Sequence, residues 1–147
     1  MKNKPFVVAA MLFLTTVSFS RCDYYSNLLK VHNKSKERIA VLYSNRENPE
    51  NVNNVEFYID DYNSIPPDYT KAFDIPGKND AWHQYIEQTP RKALFIYIFS
   101  VDKIKLYGGQ VMPDIIRAHE YLAVLKYSEE DLIKNNWVVA YNGTTSQ

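Results

Sequence analysis

The sequence predicts a mainly β fold: an antiparallel, sandwich-like domain with two or three short helices in its C-terminal half. Three observations lead there. Short stretches rich in β-branched and aromatic residues recur along the chain, about five to seven of them, separated by turn-forming clusters. One of them, 92–100, is apolar without interruption from Ala93 to Phe99 and reads as a central strand covered on both faces. Helical patterns are too sparse to alternate with strands, which argues against a doubly wound parallel sheet. The 12 tyrosines fit the same picture, because a tyrosine buries its ring and keeps its hydroxyl wet on a sheet surface.

Taken in order, 28–33 reads as a first strand and 37–44 as a second. The polar turn 33–36 between them suggests a hairpin, though it lacks the Asn-Gly pair typical of the tightest hairpins. The stretch 45–54, rich in Asn, Glu and Pro, reads as an exposed loop. A strand is expected over 55–59 and an irregular stretch over 60–68, which carries Asp60-Asp61 and Pro66-Pro67. Another strand is expected over 69–75, ended by Pro76-Gly77. The spacing of Trp82, Tyr85 and Ile86 suits one face of a short helix over 80–89. After the apolar strand, 101–107 suggests a helical turn closed by Gly108-Gly109. Pro113 opens a second short helix to His119. A strand follows over 120–127. Ser128 and Asp131 then form a near capping box for a helix ending at 135 or 136, with acids in its first turn that suit the helix dipole. The closing strand is 137–141, and 142–147 is a polar tail. No internal repeat is visible.

The N-terminus is organised differently. Lys2 and Lys4 precede an apolar run from Phe6 to Phe19, and Ser20 and Arg21 lead to Cys22, the single cysteine. A basic start, an apolar run of roughly 14 residues and a polar exit describe an export signal. The run is too short for a comfortable transmembrane helix, which needs about 20 residues. Cys22 stands where a bacterial lipoprotein signal ends, so residues 1–21 are expected to be the signal, Cys22 the lipid attachment point and 22–27 a tether to a single domain over 28–141. Arg21 departs from the small residue usual before such a cysteine. With one cysteine the chain forms no internal disulfide.

Cleavage before Cys22 removes three of the 17 basic residues and none of the acidic ones, leaving 14 basic side chains against 17 acidic. A mildly acidic domain lacks the basic footprint that a nucleic-acid backbone requires. Its length, about 125 residues, suits one core.

Candidate chemistry is thin. His32, His83 and His119 are far apart and match no zinc spacing, and each reads as an ordinary strand or helix residue. No nucleophile elbow occurs. Gly108-Gly109 lacks the lysine of a phosphate loop. The acids Glu56, Asp60 and Asp61, with Asn63 nearby, offer oxygen ligands for calcium, but no glycine marks the bend of a calcium loop, and a solvated loop is the favoured reading. The same acids are the candidates for glycoside hydrolysis, which requires one of them in an apolar pocket. Tyr58, Tyr62, Tyr69, Trp82 and Tyr85 are candidate ligand-contacting aromatics. Against that stands core packing, favoured for Trp82, Tyr85 and Trp137. No catalytic residue and no cofactor are expected.

The block 81–141 also resembles a group of small, functionally uncharacterised Bacteroidetes-type lipoproteins. The matching features are the apolar strand at 94–99 followed by Asp102, the Ile115-Ile116 to Tyr121 stretch, the run Leu125 to Leu132, and Asn135 to Tyr141. The resemblance implies a β-rich fold and a lipid-anchored place in the outer membrane. It carries no substrate and no site residues. The expected function is therefore a non-enzymatic binding or structural module of the cell envelope, held to the bilayer through Cys22, with a protein or glycan partner. A small hydrolase acting on envelope or extracellular glycans is the alternative.

Overall fold

The computed structural model describes residues 28–50 and 52–143. The expected signal, Cys22 and the expected tether lie outside the described residues, as do the last four residues of the tail. Six strands form two three-stranded sheets, and short helices fill the connections. The strands are β1 (Leu29–Asn33), β2 (Ile39–Ser44), β3 (Thr70–Phe73), β4 (Ala93–Ser100), β5 (Ala123–Ser128) and β6 (Val138–Tyr141). The helices are α1 (Val55–Ile59), α2 (Ala81–Glu87), α3 (Val101–Ile104), α4 (Met112–Arg117) and α5 (Glu129–Lys134), with a 3-10 turn over Lys105–Tyr107 after α3.

The strand order is β3-β1-β6 in one sheet and β2-β4-β5 in the other. All pairings are antiparallel except β1 with β6, which run parallel. The mainly β, mostly antiparallel expectation therefore holds, with more helices than the two or three anticipated.

β4 lies at the centre of its sheet and all eight of its residues are buried. Its side chains alternate between two cores, as strand geometry demands. Leu94, Ile96 and Ile98 join Leu29 and Val31 of β1, Ile39 and Val41 of β2, and Val139 and Tyr141 of β6 in one cluster. Ala93, Phe95, Tyr97 and Phe99 point the other way and pack with Ala40 and Leu42 of β2 and with Val55, Ile104, Met112 and Ile115 of the helices. One cluster thus joins both sheets, and the other lies under α1, α3 and α4.

Two expectations are corrected. β1 and β2 do not form a hairpin, because they belong to different sheets. The buried side chain of Asn33 explains the crossing. Its Nδ2 donates to the carbonyls of Glu37 (2.8 Å) and Ile65 (3.0 Å), and its Oδ1 accepts from Ser35 N (3.0 Å) and Ser35 Oγ (2.6 Å). The turn is therefore satisfied by one side chain, with no need for strand pairing across it. The second correction is 55–59, a helix and not a strand. Asn54 caps it by accepting from Phe57 N, and burial of Val55 and Tyr58 fits a spacing of three residues, one helical turn.

The capping box at Ser128 is present. Ser128 Oγ accepts from Asp131 N, and Asp131 accepts from Ser128 N at 3.0 Å. At the other end of α5, Asn136 N donates to Ile133 O (3.0 Å) and Trp137 N to Leu132 O (2.7 Å). This is the Schellman arrangement, with Asn136 and Trp137 both at positive φ. It turns Trp137 into the core against Trp82, with ring centroids 6.0 Å apart. Among the described residues, no helix is long and apolar enough to cross a membrane.

Candidate functional site

Two sheet edges run close together on one side of the molecule. β2 and β3 are both edge strands of their own sheets. At one end the gap is closed by Ile65, fully buried in the stretch read as irregular, which exchanges two backbone hydrogen bonds with Ile39 (3.0 and 2.8 Å). Beyond Ile65 the gap opens into a cleft of about 450 Å³, a volume typical of small-ligand sites. Residues 41–44 of β2 line one wall and Lys71, Ala72 and Phe73 of β3 with the following Asp74 the other, while α1 and the loop after it supply Phe57, Tyr58, Tyr62 and Asn63.

The lining is aromatic for a local reason. β3 alternates exposed Thr70 and Ala72 with half-buried Lys71 and Phe73, so the latter two face inward together. Tyr43 reaches across from β2 and donates to Asp74 O at 3.1 Å, and its ring meets Phe73, Trp82 and Tyr85 edge-on at 5.9, 5.2 and 6.4 Å. Burial, followed by the proximity of Tyr85 and Asp74, pushes the Tyr43 hydroxyl above its ordinary value. Burial pushes Tyr58 up to about 12. Both phenols therefore stay neutral at physiological pH.

Lys71 is the cation of the cleft. Its Nζ lies 5.0 Å from the Tyr62 ring centre and 5.8 Å from that of Phe73, and it donates to Tyr62 O. Partial burial lowers its pKa below the ordinary lysine value, and Asp60 opposes that shift. No ion pair holds Lys71 among the described residues. Glu50, also in the lining, is already paired with Arg46 at 3.3 Å.

The predicted aromatic set divides. Tyr58, Tyr62 and Tyr85 line the cleft. Trp82 is core, directly behind Tyr43 and Tyr85. Tyr69 is exposed and stands outside the lining. The predicted acids do not enter the cleft either. Glu56 accepts from Gly109 N at 2.6 Å, Asp60 accepts from Tyr62 N at 2.9 Å, and Asp61 pairs with Arg38 at 3.3 Å. Gly109 holds φ +80, which favours glycine, so the Glu56 contact depends on that residue type. Among the described residues no group of three or more His, Cys, Asp or Glu side chains gathers as for a metal ion. The three histidines are apart, with His32 on Thr70 (2.6 Å), His83 on Glu129 (2.7 Å) and His119 on Tyr121 (3.0 Å).

Sequence reasoning missed Tyr43, Phe57, Lys71 and Phe73. A two-residue alternation over 70–73 carried the signal for Lys71 and Phe73. Nothing local marked Tyr43 or Phe57, because their role depends on two sheets meeting. Compared with protein-family models, curated proteins and solved structures, the chain matches none.

Proposed function

We propose that this chain is an exported protein held to the outer membrane by lipid on Cys22, and that its folded domain works as a binding module of the cell envelope. The export signal and the lone cysteine support the location, and the resemblance to Bacteroidetes-type lipoproteins agrees with it. We also read the two sheets as the leaves of a sandwich, on the ground that both feed one core cluster. The cleft between β2 and β3 carries the binding reading. It joins aromatic rings, side-chain amides, the acids Glu50 and Asp74, and one cation that has no ion-pair partner among the described residues, groups that recognise a ligand by contact. The hydrolase alternative through Glu56, Asp60 and Asp61 draws no support from the cleft, since none of the three lines it.

Two measurements test the reading. Mass spectrometry of the membrane fraction should find Cys22 as a lipid-modified N-terminus; an unmodified N-terminus at another residue ends the anchor. Trp82 lies behind Tyr43 and Tyr85, so its fluorescence should respond when the cleft fills. Tyr62, 86% exposed at the cleft, contributes little to the core, so Tyr62→Ala should leave the melting temperature unchanged and weaken binding by roughly 1 to 3 kcal/mol.

A further inference from the structure

The walls of the cleft include backbone as well as side chains. In an antiparallel strand, the N–H and C=O of one residue point to the same edge, and those of the next point to the opposite edge. Three contacts set the phase of β2. Ile39 gives both its N–H and its C=O to Ile65, away from β4. Arg38 accepts from Val101 N at 3.1 Å, on the β4 side. Asn45 N donates to Tyr85 Oη at 3.2 Å, again away from β4. The backbone groups of Val41 and Tyr43 therefore point into the cleft. Val41 is only 3% exposed, and among the described residues no loop or turn hydrogen bond engages its backbone on this edge, where a buried peptide group without a partner is costly. Ile65 already occupies this edge in antiparallel register, one step before the cleft begins.

We propose that the cleft takes an extended peptide segment of a partner protein, added as an antiparallel strand to β2 at Val41 and Tyr43. This rests on the binding-module reading above and names its ligand class. Strand addition draws affinity from main-chain hydrogen bonds and specificity from alternate side chains. The two sides of the slot differ. One faces Lys71 and Phe73 of β3, and the other faces Phe57 and Tyr58 of α1. Among the described residues no carboxylate forms an ion pair with Lys71, whose Nζ lies over the Tyr62 and Phe73 rings, so the added strand carries an acid on that side. The rings of α1 call for an apolar residue on the other. The matching ligand therefore alternates acidic and apolar residues.

The probe is a capped hexapeptide of alternating Glu and Val, tested on the full mature domain with residue-resolved hydrogen exchange. Before peptide is added, the Val41 and Tyr43 amides should exchange faster than those of Ala40 and Leu42, which bond β4. The peptide should slow exchange at Val41 and Tyr43 and leave Ala40 and Leu42 unchanged. Peptide N-methylated on alternate residues should lose binding in one phase and keep it in the other. Lys71→Gln should weaken the peptide about tenfold. Equal binding by both methylated forms overturns strand addition and leaves the cleft a ligand site. Protection that rises with protein concentration alone overturns the foreign peptide in favour of a second copy of this chain. A neutral oligosaccharide that shifts Trp82 fluorescence where the peptide does not overturns the peptide class alone. No response to either probe overturns the peptide class and leaves the binding-module reading without its cleft.

Discussion

Asn33 is a single residue on which the course of the chain turns. It is fully buried, and its side chain bonds the segment before β2 and the Ile65 segment at once. Its backbone also takes part, with Asn33 N donating to Tyr69 O and Asp68 N donating to Asn33 O. Asn33→Ala removes the donors to Glu37 O and Ile65 O and leaves buried carbonyls bare. We expect a loss of about 2 kcal/mol or more, measured by urea unfolding. Asn33→Asp keeps the acceptor for Ser35 but loses both donors, and should be no better. Isolated side chains of this kind are visible in a sequence only as polar letters in a turn, because the partners come from 26 or more residues away for Ile65 and for the Arg38–Ser64 contact alike.

Among the elements, α1 and α5 show opposite degrees of legibility. The run 55–59 is β-branched and aromatic, which favours a strand by propensity. Its helix arises because Asn54 caps it and because Val55 and Tyr58 find a core under them. α5 announces itself through Ser128 and Asp131, whose contacts are local. Ser128→Ala should cost about 1 kcal/mol in urea unfolding. α5 is also tied to α2, through His83 and Glu129. The hydrogen bond that His83 Nδ1 donates to Glu129, and then the charge of Glu129, raise the His83 pKa above its ordinary value of 6.5. A raised folded pKa stabilises the fold fully below the unfolded value. That contribution fades as pH rises through the folded value. The melting-temperature gap between wild type and His83→Gln should therefore be largest near pH 5 and close towards about pH 9. A gap that widened with pH would contradict the assignment.

At the scale of the whole molecule, β4 is the shared wall of both cores. Phe99 is completely buried on its helix side, so Phe99→Ala should cost about 3–5 kcal/mol. Loss on that scale is a large share of a small domain's stability, and the urea midpoint should fall accordingly. The cleft belongs to this scale as well. It exists because β2 and β3, edges of different sheets, lie side by side, with Tyr43 against Phe73, while Ile65 pairs with β2 at one end. Neither strand carries a binding motif in its own letters. Tyr58, Tyr62 and Tyr85 stood out as aromatic letters, whereas Tyr43 and Lys71 read as ordinary strand residues, and only their meeting across the gap gives the five a common surface.

By itself the sequence determined what depends on near neighbours. The buried central strand follows from an unbroken apolar run, the α5 cap from a serine and an acid three residues apart, and the six strands from β-rich stretches bounded by turn residues. Tertiary structure alone decided which strands pair, that β1 joins β6 in parallel across more than a hundred residues, and where the cleft opens. The physical reason is reach. Caps and side-chain alternation are set within a turn of helix or two steps of strand, but pairing and clefts are set by whichever distant surfaces bury the most apolar area together.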